Sequence, residues 1–449
     1  MSSHSICPNK YSELRNNYKH YIDLYTALYQ LKTEKEDDLN SIYNLIKAEL
    51  IDSKKYLPTN MVKDILDIIP YNNRYAKSYL ILAKRVIDYY HVKVVIDVDV
   101  ISKYLFYKEY GIKLDNSSDF EKLKFEKLDI HSENTIYRAI MDNDLQKFIS
   151  FTEQKGFYKN KRILSKLYPL SFEGFSLLEL CCYHGAVDCF KLLRTKFNSE
   201  ITETCLRFSF LGGNQEIMNE CLKYQKPNEK CMIHAIISHN IDFVTFLMNE
   251  YNIEIDLNEC GFHKNLEAFL VYFDQTNNIN KCFLYSLLFS IPSLCEYFLS
   301  HGANINEKDK LRRTALFFAA CTNSKETAEV LISHGANINE KDGGGRTALH
   351  IAVENNNKET AEFLISNGSN IDEKDQYGKT ALCLAAIRNS KETAELLISH
   401  GANINEKDGN GRTALCFAAE NNSKETAELL ISHGANINEK INAENIKIK

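Results

Sequence analysis

No apolar run in the 449-residue chain approaches the roughly 20 residues that a bilayer-spanning helix needs. The first residues also lack the apolar stretch of a secretory signal, so we expect the protein to stay inside the cell, in the cytoplasm. A formal charge of only −6 on a 51.6 kDa chain produces too weak a field to attract nucleic acid or anionic lipid. We therefore expect no nucleic-acid partner and no membrane span.

Motifs for metals, phosphates and disulfides are also missing. The 13 histidines show no H-E-x-x-H spacing, and the glycine-rich stretches 342–346 and 408–412 lack the Lys-Ser/Thr that completes a phosphate-binding loop. The 13 cysteines are odd in number, none are spaced C-x-x-C, and most lie in apolar segments. These patterns favour reduced cysteines that pack as small hydrophobic residues, and a protein without cofactor or metal.

What the sequence does contain is a repeat with a constant step of 33 residues. The string SHGANINEK begins at Ser300, Ser333, Ser399 and Ser432, and the related SNGSNIDEK begins at Ser366. Between these strings a TAL triplet and an SKETAE or NKETAE string recur in four whole units. Such a regular step is typical of a solenoid, in which each unit packs on its neighbours.

Each unit reads as a turn, a helix, a second turn and a second helix. In the unit 309–341, Thr314 suits the N-cap of the first helix, and Asn323 tolerates the left-handed conformation that would end it. Ser324 can then cap the second helix, and Gly335 suits the positive φ at its end. Helices this short are marginal in water without packing, so the units have to stack.

The unit resembles the ankyrin repeat, whose pattern is D-x-x-G-x-T-P-L-H-x-A-A followed by a helix that ends in L-L-x-x-G-A-D-V-N. In the unit that begins at Asp342 the matching residues are Asp342, Gly345, Thr347, Leu349, His350, Ala352, Leu364, Gly368 and Asn370. The resemblance implies an all-α fold, in which a helical bundle precedes an α-solenoid with short β-hairpin-like turns. It also implies a surface that binds proteins and no enzymatic activity.

Three departures from the ankyrin pattern suggest a less rigid array. The proline that starts the first helix is alanine in all four units, which keeps helix propensity but loses a fixed φ. The histidine survives only as His350, so its hydrogen bond to the capping threonine is expected in one unit alone. Arg312 stands where the other units have the turn glycine.

The same rhythm continues upstream in divergent form. The segment 281–308 aligns without a gap as a fifth unit, and four earlier segments each place an apolar helix on either side of a turn. Those segments are 135–151, 174–193, 201–222 and 230–251. The predicted domains are a Tyr-rich helical region 1–125, degenerate repeats 126–273, ankyrin repeats 276–308, 309–341, 342–374, 375–407 and 408–440 within 274–440, and a tail 441–449.

The Tyr-rich region shows four stretches with helical periodicity, at 14–28, 39–50, 61–69 and 75–89, which predict a small bundle. Its tyrosines are interpreted as core and rim residues, with stacking platforms or phosphorylation sites as the alternatives. Strings such as IPYNNRYAKSYL and SLLELCCYHGAVDCFKLL give nearly the whole chain a resemblance to a large protist (trichomonad-like) family of ankyrin-repeat proteins. That family carries an uncharacterised helical region before its repeats and implies no known activity.

A thiol nucleophile beside a base is one interpretation of Cys181, Cys182 and His184, which lie within four residues. The other interpretation places both cysteines on the packing face of a first helix and His184 in the turn, and we favour it. An enzyme in the N-terminal or middle region, with the repeats recruiting its substrate, stays the alternative function.

Recognition by surface is the predicted function, through the concave face and the turn tips, as a scaffold or adaptor for a protein partner. Among nearly identical units, the positions that vary are not fixed by the core, although neutral drift in recent duplicates is the other explanation. The candidate partner-binding residues at these positions are Leu311, Arg313, Arg346, Glu354, Tyr377, Lys379, Ile387 and Arg388. A further alternative is self-association through the uncapped C-terminal repeat.

Overall fold

Short helices, most of them in pairs, dominate the residues that the structure describes. The structure is a computed structural model, and the residues that it describes are 10–53, 56–95, 97–115, 120 and 131–437. The chain divides into two units, Met1–Asn277 and Asn278–Lys449, which we call the N-terminal body and the C-terminal array. The predicted all-α helical repeat fold is confirmed. The predicted tail lies outside the described residues.

The N-terminal body begins with more helices than the four predicted. Its first α-helices are Lys10–Asn17, Lys19–Tyr29, Glu36–Leu45, Pro58–Asp67, Ala76–Tyr90 and Val100–Tyr110, with a π-helix Ile46–Ile51 and 3-10 turns Ile69–Tyr71 and Asn73–Tyr75. The single helix predicted over 14–28 is wrong, because Tyr18 leaves the helical conformation, with φ −109° and ψ 19°.

The helix Val100–Tyr110 was not predicted. It begins at the end of the stretch 92–101, whose sequence VKVVIDVDVI is rich in the valine and isoleucine that are typical of strands. Asp99 occupies the N-cap, and its side chain accepts a hydrogen bond of 2.8 Å from the backbone N–H of Ile101. A capping carboxylate of this kind satisfies one of the free donors at a helix start. The cap therefore decides the local structure against the β propensity of the valines around it.

Five helix pairs follow among the described residues of the N-terminal body. They are Ile136–Met141 with Leu145–Thr152, Leu177–His184 with Val187–Thr195, Glu203–Gly212 with Gln215–Leu222, Glu229–Ile237 with Ile241–Tyr251, and Leu257–Phe262 with Leu266–Thr276. The first four pairs were predicted. We call all five the middle pairs.

The described residues contain a single sheet, in which the strands Arg162–Ile163 and Phe175–Ser176 pair antiparallel. Gly174 precedes the second strand with a φ of 70°, and a Cβ there would lie 2.3 Å from the Ile163 carbonyl oxygen. Only glycine fits this approach. Ser176 then caps the helix Leu177–His184 through a capping box with Glu179.

Five more pairs form the described part of the C-terminal array, one at each predicted 33-residue step. They are Ile279–Ser286 with Pro292–Ser300, Ala315–Cys321 with Lys325–Ser333, Ala348–Glu354 with Lys358–Ser366, Ala381–Arg388 with Lys391–Ser399, and Ala414–Glu420 with Lys424–Ser432. A 3-10 turn, Leu287–Phe289, follows the first of these helices. In each pair we call the first helix A and the second helix B.

The predicted turn conformations of the array are confirmed, but the predicted capping is confirmed only in part. Ser324 accepts a hydrogen bond from the Thr327 amide, whereas Thr314 occupies the N-cap without a side-chain capping bond. Asn323 ends the first turn with φ 51°, and Gly335 follows helix B with φ 86°. Arg312 adopts a φ of 60° at the position where Gly345 has 75°. A left-handed conformation is unfavourable for a side chain with a Cβ, by roughly 1–2 kcal/mol, so this tip is strained.

Polar bonds between consecutive units supplement the alanine-rich packing of the helices. The threonine in the first turn of helix B is fully buried, which the sequence pattern did not indicate, and Thr360 donates to the Asn323 side-chain oxygen of the preceding unit at 2.9 Å. Salt bridges between consecutive units also recur. Lys341 Nζ, for example, lies 2.7 Å from a carboxylate oxygen of Glu373 in the next unit. Each unit is therefore held in register with its neighbours by side chains that recur with the repeat.

Candidate protein-binding surface

Backbone hydrogen bonds join the turn tips of successive units. The amide of Gly343 donates to the Leu311 carbonyl, and the amide of Gly409 donates to the Tyr377 carbonyl, both at 2.9 Å. The intermediate tips are joined in the same way through Gln376 and Gly344, also at 2.9 Å. The tips from Asp309 to Arg412 thus form one continuous edge, which we call the tip edge, and their side chains take no part in these bonds.

An aspartate organises each tip. In the third whole unit, Asp375 Oδ1 accepts hydrogen bonds from the amides of Tyr377 and Lys379, both at 2.8 Å. The same pair of bonds recurs at Asp309, Asp342 and Asp408. These bonds fix the backbone of the tip. Little further conformational entropy is therefore lost when its side chains bind a partner.

Two large apolar side chains project from the tip edge. Leu311 and Tyr377 occupy the same position of their units, and each is 62% exposed. The tip between them carries Gly343 and Gly344, so no side chain stands in that gap. Aromatic side chains exposed on a rigid surface are typical of residues that contribute strongly to protein binding.

Most of the basic side chains behind the tips are paired with the tip aspartates. Arg313 Nε lies 2.6 Å from Asp309 Oδ2, and Arg412 Nη2 lies 2.9 Å from Asp408 Oδ2. Lys379 differs, since no salt bridge forms at its ammonium within the described residues. Its Nζ lies 5.6 Å from the ring centroid of Tyr377, within the range of a cation–π contact.

At the ends of the A helices, the structure brings three of the candidate residues together. Glu354 lies 3.4 Å from Arg346 Nη1 of its own unit and 3.2 Å from Arg388 Nη2 of the next. Ile387 replaces this glutamate in the following unit and is half-buried. Arg388 is 54% exposed but partly neutralised, which makes it a weaker contact than an unpaired arginine.

The end of helix A is also where the N-terminal helices cover the middle pairs. Arg74 Nη2 lies 3.7 Å from Asp142, which follows the first helix of the first middle pair. In the second pair, the Tyr183 hydroxyl at the helix end donates to the Pro70 carbonyl at 2.9 Å. In these middle pairs, the ends of the first helices are therefore in contact with N-terminal residues of the same chain.

The same relationship continues along the later middle pairs. Gln30 Nε2 donates to the His239 carbonyl at 2.9 Å, and the Tyr29 ring stacks on the His239 ring with centroids 4.2 Å apart. Tyr71 meets His263 edge to face at 5.2 Å. The sequence analysis did not predict this arrangement. The excess of tyrosine before residue 111 is the one sequence feature that reflects it.

Buried histidines and a tyrosine form a chain of hydrogen bonds inside the N-terminal body. The Tyr168 hydroxyl lies 2.8 Å from His131 Nε2 and 2.9 Å from His184 Nε2. Burial lowers the pKa of His131 to about 4, and it lowers the pKa of His184 well below the ordinary value. Both rings are therefore neutral at pH 7, and in each ring one nitrogen donates a hydrogen bond and the other accepts one.

The cysteines beside His184 have no access to solvent. Cys181 and Cys182 are both fully buried on the packing face of the helix, as the favoured interpretation predicts. Burial raises the pKa of each thiol well above its usual range, which disfavours the thiolate that nucleophilic catalysis needs. The arrangement gives no support to the interpretation of a thiol nucleophile.

Two features of other protein classes are absent from the described ranges. Within them, no group of three or more histidine, cysteine and acidic side chains is placed to hold a metal ion. No helix in the same ranges combines the length and apolar character that a membrane crossing requires.

Helix pairs stacked at a fixed step, with an ordered edge of turn tips, define a helical repeat protein. Residues 287–375 and 364–441 match the family described as Ankyrin repeats (3 copies), and residues 197–272 match a Domain of unknown function (DUF3447). No curated protein matches the chain. The C-terminal region thus carries ankyrin repeats, which are generally protein–protein interaction modules, preceded by a domain of unknown function. The wider resemblance to a protist family stays a prediction.

Proposed function

We propose that the protein is a non-catalytic scaffold or adaptor that binds a protein partner through the tip edge and the concave face of its C-terminal array. The observation that carries the proposal is the exposure of Leu311 and Tyr377 on a hydrogen-bonded edge. Large apolar side chains held on a preorganised backbone bind a partner with little loss of conformational entropy. Of the other candidate residues, Arg313 and Lys379 follow Leu311 and Tyr377 by two positions, and Ile387 lies near the end of helix A in the unit of Tyr377.

The N-terminal body supplies a second line of support. Its own helices contact the ends of the first helices of the middle pairs, through Tyr29, Gln30, Tyr71 and Arg74. Glu354, Ile387 and Arg388 occupy the corresponding positions in the array. These positions on paired-helix units are thus suited to contacts with aromatic and arginine side chains of another protein surface.

Photo-crosslinking from single positions tests the proposal. A photoreactive phenylalanine analogue at position 377 should crosslink a discrete partner protein in extract of the native cell. The same analogue at position 395, an exposed residue of helix B in the same unit, should not. If both positions capture the same proteins, or if neither captures any, the tip edge is not the binding surface.

Self-association through the last unit is a second candidate function. Ile431, on the last helix B of the described residues, is 50% exposed, whereas Ile398 is half-buried at the equivalent position of the preceding unit. A second chain that covered Ile431 would bury apolar surface. Sedimentation of the full chain over a range of concentrations tests this, since a monomer at every concentration would exclude it.

A further inference from the structure

Unpaired cations lie on the tip edge of a protein whose formal charge is −6. The arginines at the base of the other tips are neutralised, as in the pair between Arg346 and Asp342 at 2.9 Å. By contrast, within the described ranges Lys310, Arg312 and Lys379 form no salt bridge. The first tip thus carries an excess of positive charge, because Lys310 and Arg312 add to the paired Asp309 and Arg313. At the third tip the charge of Lys379 is matched by that of Asp375, but the Asp375 carboxylate accepts hydrogen bonds from the backbone amides of its own tip.

The replacement of arginine by lysine explains why one of these cations is available. The forked guanidinium of Arg412 reaches Asp408 Oδ2 through both Nε and Nη2, at 3.1 and 2.9 Å. The ammonium of Lys379 is a compact point charge without that fork. It lies 5.3 Å from the ring of Phe417 as well as near Tyr377, so it stands beside an apolar wall.

A second site with the same composition lies on the first tip of the series. Leu311 is flanked directly in sequence by Lys310 and Arg312, and all three are exposed. Each site can make two contacts with a partner: the cation with a carboxylate, and the exposed apolar side chain with an apolar side chain next to that carboxylate. The tip edge therefore presents the same chemistry twice, with the two bare glycines of the intermediate tip between the sites.

The separation of the two sites sets a spacing for the partner. They are two units apart, and packed neighbouring helices are 8–10 Å apart, which gives a separation of roughly 20 Å. An extended chain advances by about 3.3 Å per residue, so the separation corresponds to about six residues. The joined backbone of the tips keeps this distance fixed.

We propose that the tip edge binds an extended acidic peptide segment, in which two apolar side chains, each beside a carboxylate, stand about six residues apart. This rests on the proposed function and specifies the chemistry of the partner. A nucleic acid fits less well, because its phosphates recur about every 3.4 Å along a strand, whereas the unpaired cations form two separate groups.

Peptide selection tests the proposal while the natural partner is still unidentified. A displayed library of random peptides about twelve residues long, enough to span both sites, is selected on the immobilised full chain. We expect enrichment of Asp and Glu beside Leu, Phe or Tyr at two positions about six residues apart. Selected peptides that lack acidic residues, or an oligothymidine of similar length that binds more tightly, would overturn the proposal.

The variants then place the binding on the edge. For a selected peptide, fluorescence anisotropy should give about threefold weaker binding for Lys379→Gln and about tenfold for Tyr377→Ala. Lys391→Gln makes the same charge change on helix B of the same unit and should leave the affinity unchanged. Equal losses for Lys379→Gln and Lys391→Gln contradict the assignment.

The two levels of the proposal fail separately. Crosslinking of a partner from position 377 that survives Lys379→Gln and high salt would overturn the acidic chemistry and leave the partner-binding function standing. If position 377 crosslinks no partner, the partner-binding function itself fails, whatever the peptides show.

Discussion

Glu354 Oε1 lies 3.2 Å from Arg388 Nη2, so a carboxylate of one ankyrin unit is paired with a guanidinium of the next. The same glutamate also contacts Arg346, which is paired with Asp342 as well, so two carboxylates and two guanidinium groups form one network. The pair contributes to the contact between units. It also reduces the charge that Arg388 can offer to a partner.

Tyr377→Ala should weaken partner binding more than Arg388→Ala does. The tyrosine side chain is largely exposed on the tip edge, and its loss should cost about 1–2 kcal/mol. The partly neutralised arginine should cost less than about 1 kcal/mol. Titration calorimetry with the crosslinked partner measures both, and a larger loss for Arg388→Ala would contradict the ranking.

Asn323→Ala should destabilise the array by about 1–2 kcal/mol, because it loses a residue suited to positive φ and the hydrogen bonds to Thr360 and Glu359. Asn323→Gly retains the favourable φ and loses only the two side-chain bonds. Its cost should therefore be smaller. Urea unfolding followed by circular dichroism compares the two, and equal midpoints would show that the backbone conformation contributes nothing here.

Arg312→Gly should stabilise the array by about 1 kcal/mol, since it removes the strain of a left-handed residue with a Cβ. Lys310→Gly, two residues away on the same tip, provides the control. Lys310 is not among the residues with positive φ, so glycine there only adds freedom to the unfolded chain and should destabilise slightly. Thermal unfolding separates the two variants, and a lower midpoint for Arg312→Gly would refute the strain.

Acidification should destabilise the N-terminal body below about pH 6.5. Burial lowers the pKa of His131 to about 4 and that of His239 to about 3, so the unfolded chain binds more protons than the folded one between these values and 6.5. Their stabilisation is complete above the unfolded pKa and is lost as the pH falls. His131→Gln should reduce this dependence, and His334→Gln, an exposed control, should not. Denaturant midpoints near pH 7 and pH 5 check the difference.

Local signals in the sequence predicted the array almost completely. The asparagines with left-handed conformations and the glycine after helix B act within a few residues, so each unit specifies its own turns. The caps contribute less than predicted, because among the helix-B caps of the four whole units only Ser324 forms the side-chain bond. The fifth middle pair was missed because its first helix, Leu257–Phe262, contains Asn258, Glu259 and Gly261, which obscure the apolar periodicity. The helix Val100–Tyr110 was missed because the single capping residue Asp99 outweighs the β-rich run around it.

The contacts that cover the middle pairs could not be predicted in the same way. Tyr29 and His239 stand 210 positions apart in the chain, as the difference of their numbers gives, yet their rings stack. No local pattern encodes such a pairing. Similarly, the variation among units identified Glu354 and Arg388 as candidates, but only the structure relates one to the other. The predicted domain boundaries and binding residues stay predictions.

Main-chain bonds, and not side chains, connect the tips. It follows that exchanging, deleting or duplicating one unit would change the order of leucine, glycine, tyrosine and asparagine along the edge, while the main-chain bonds between tips would form as before. A modular array of this type can acquire a new ligand by shuffling existing units, with no new fold.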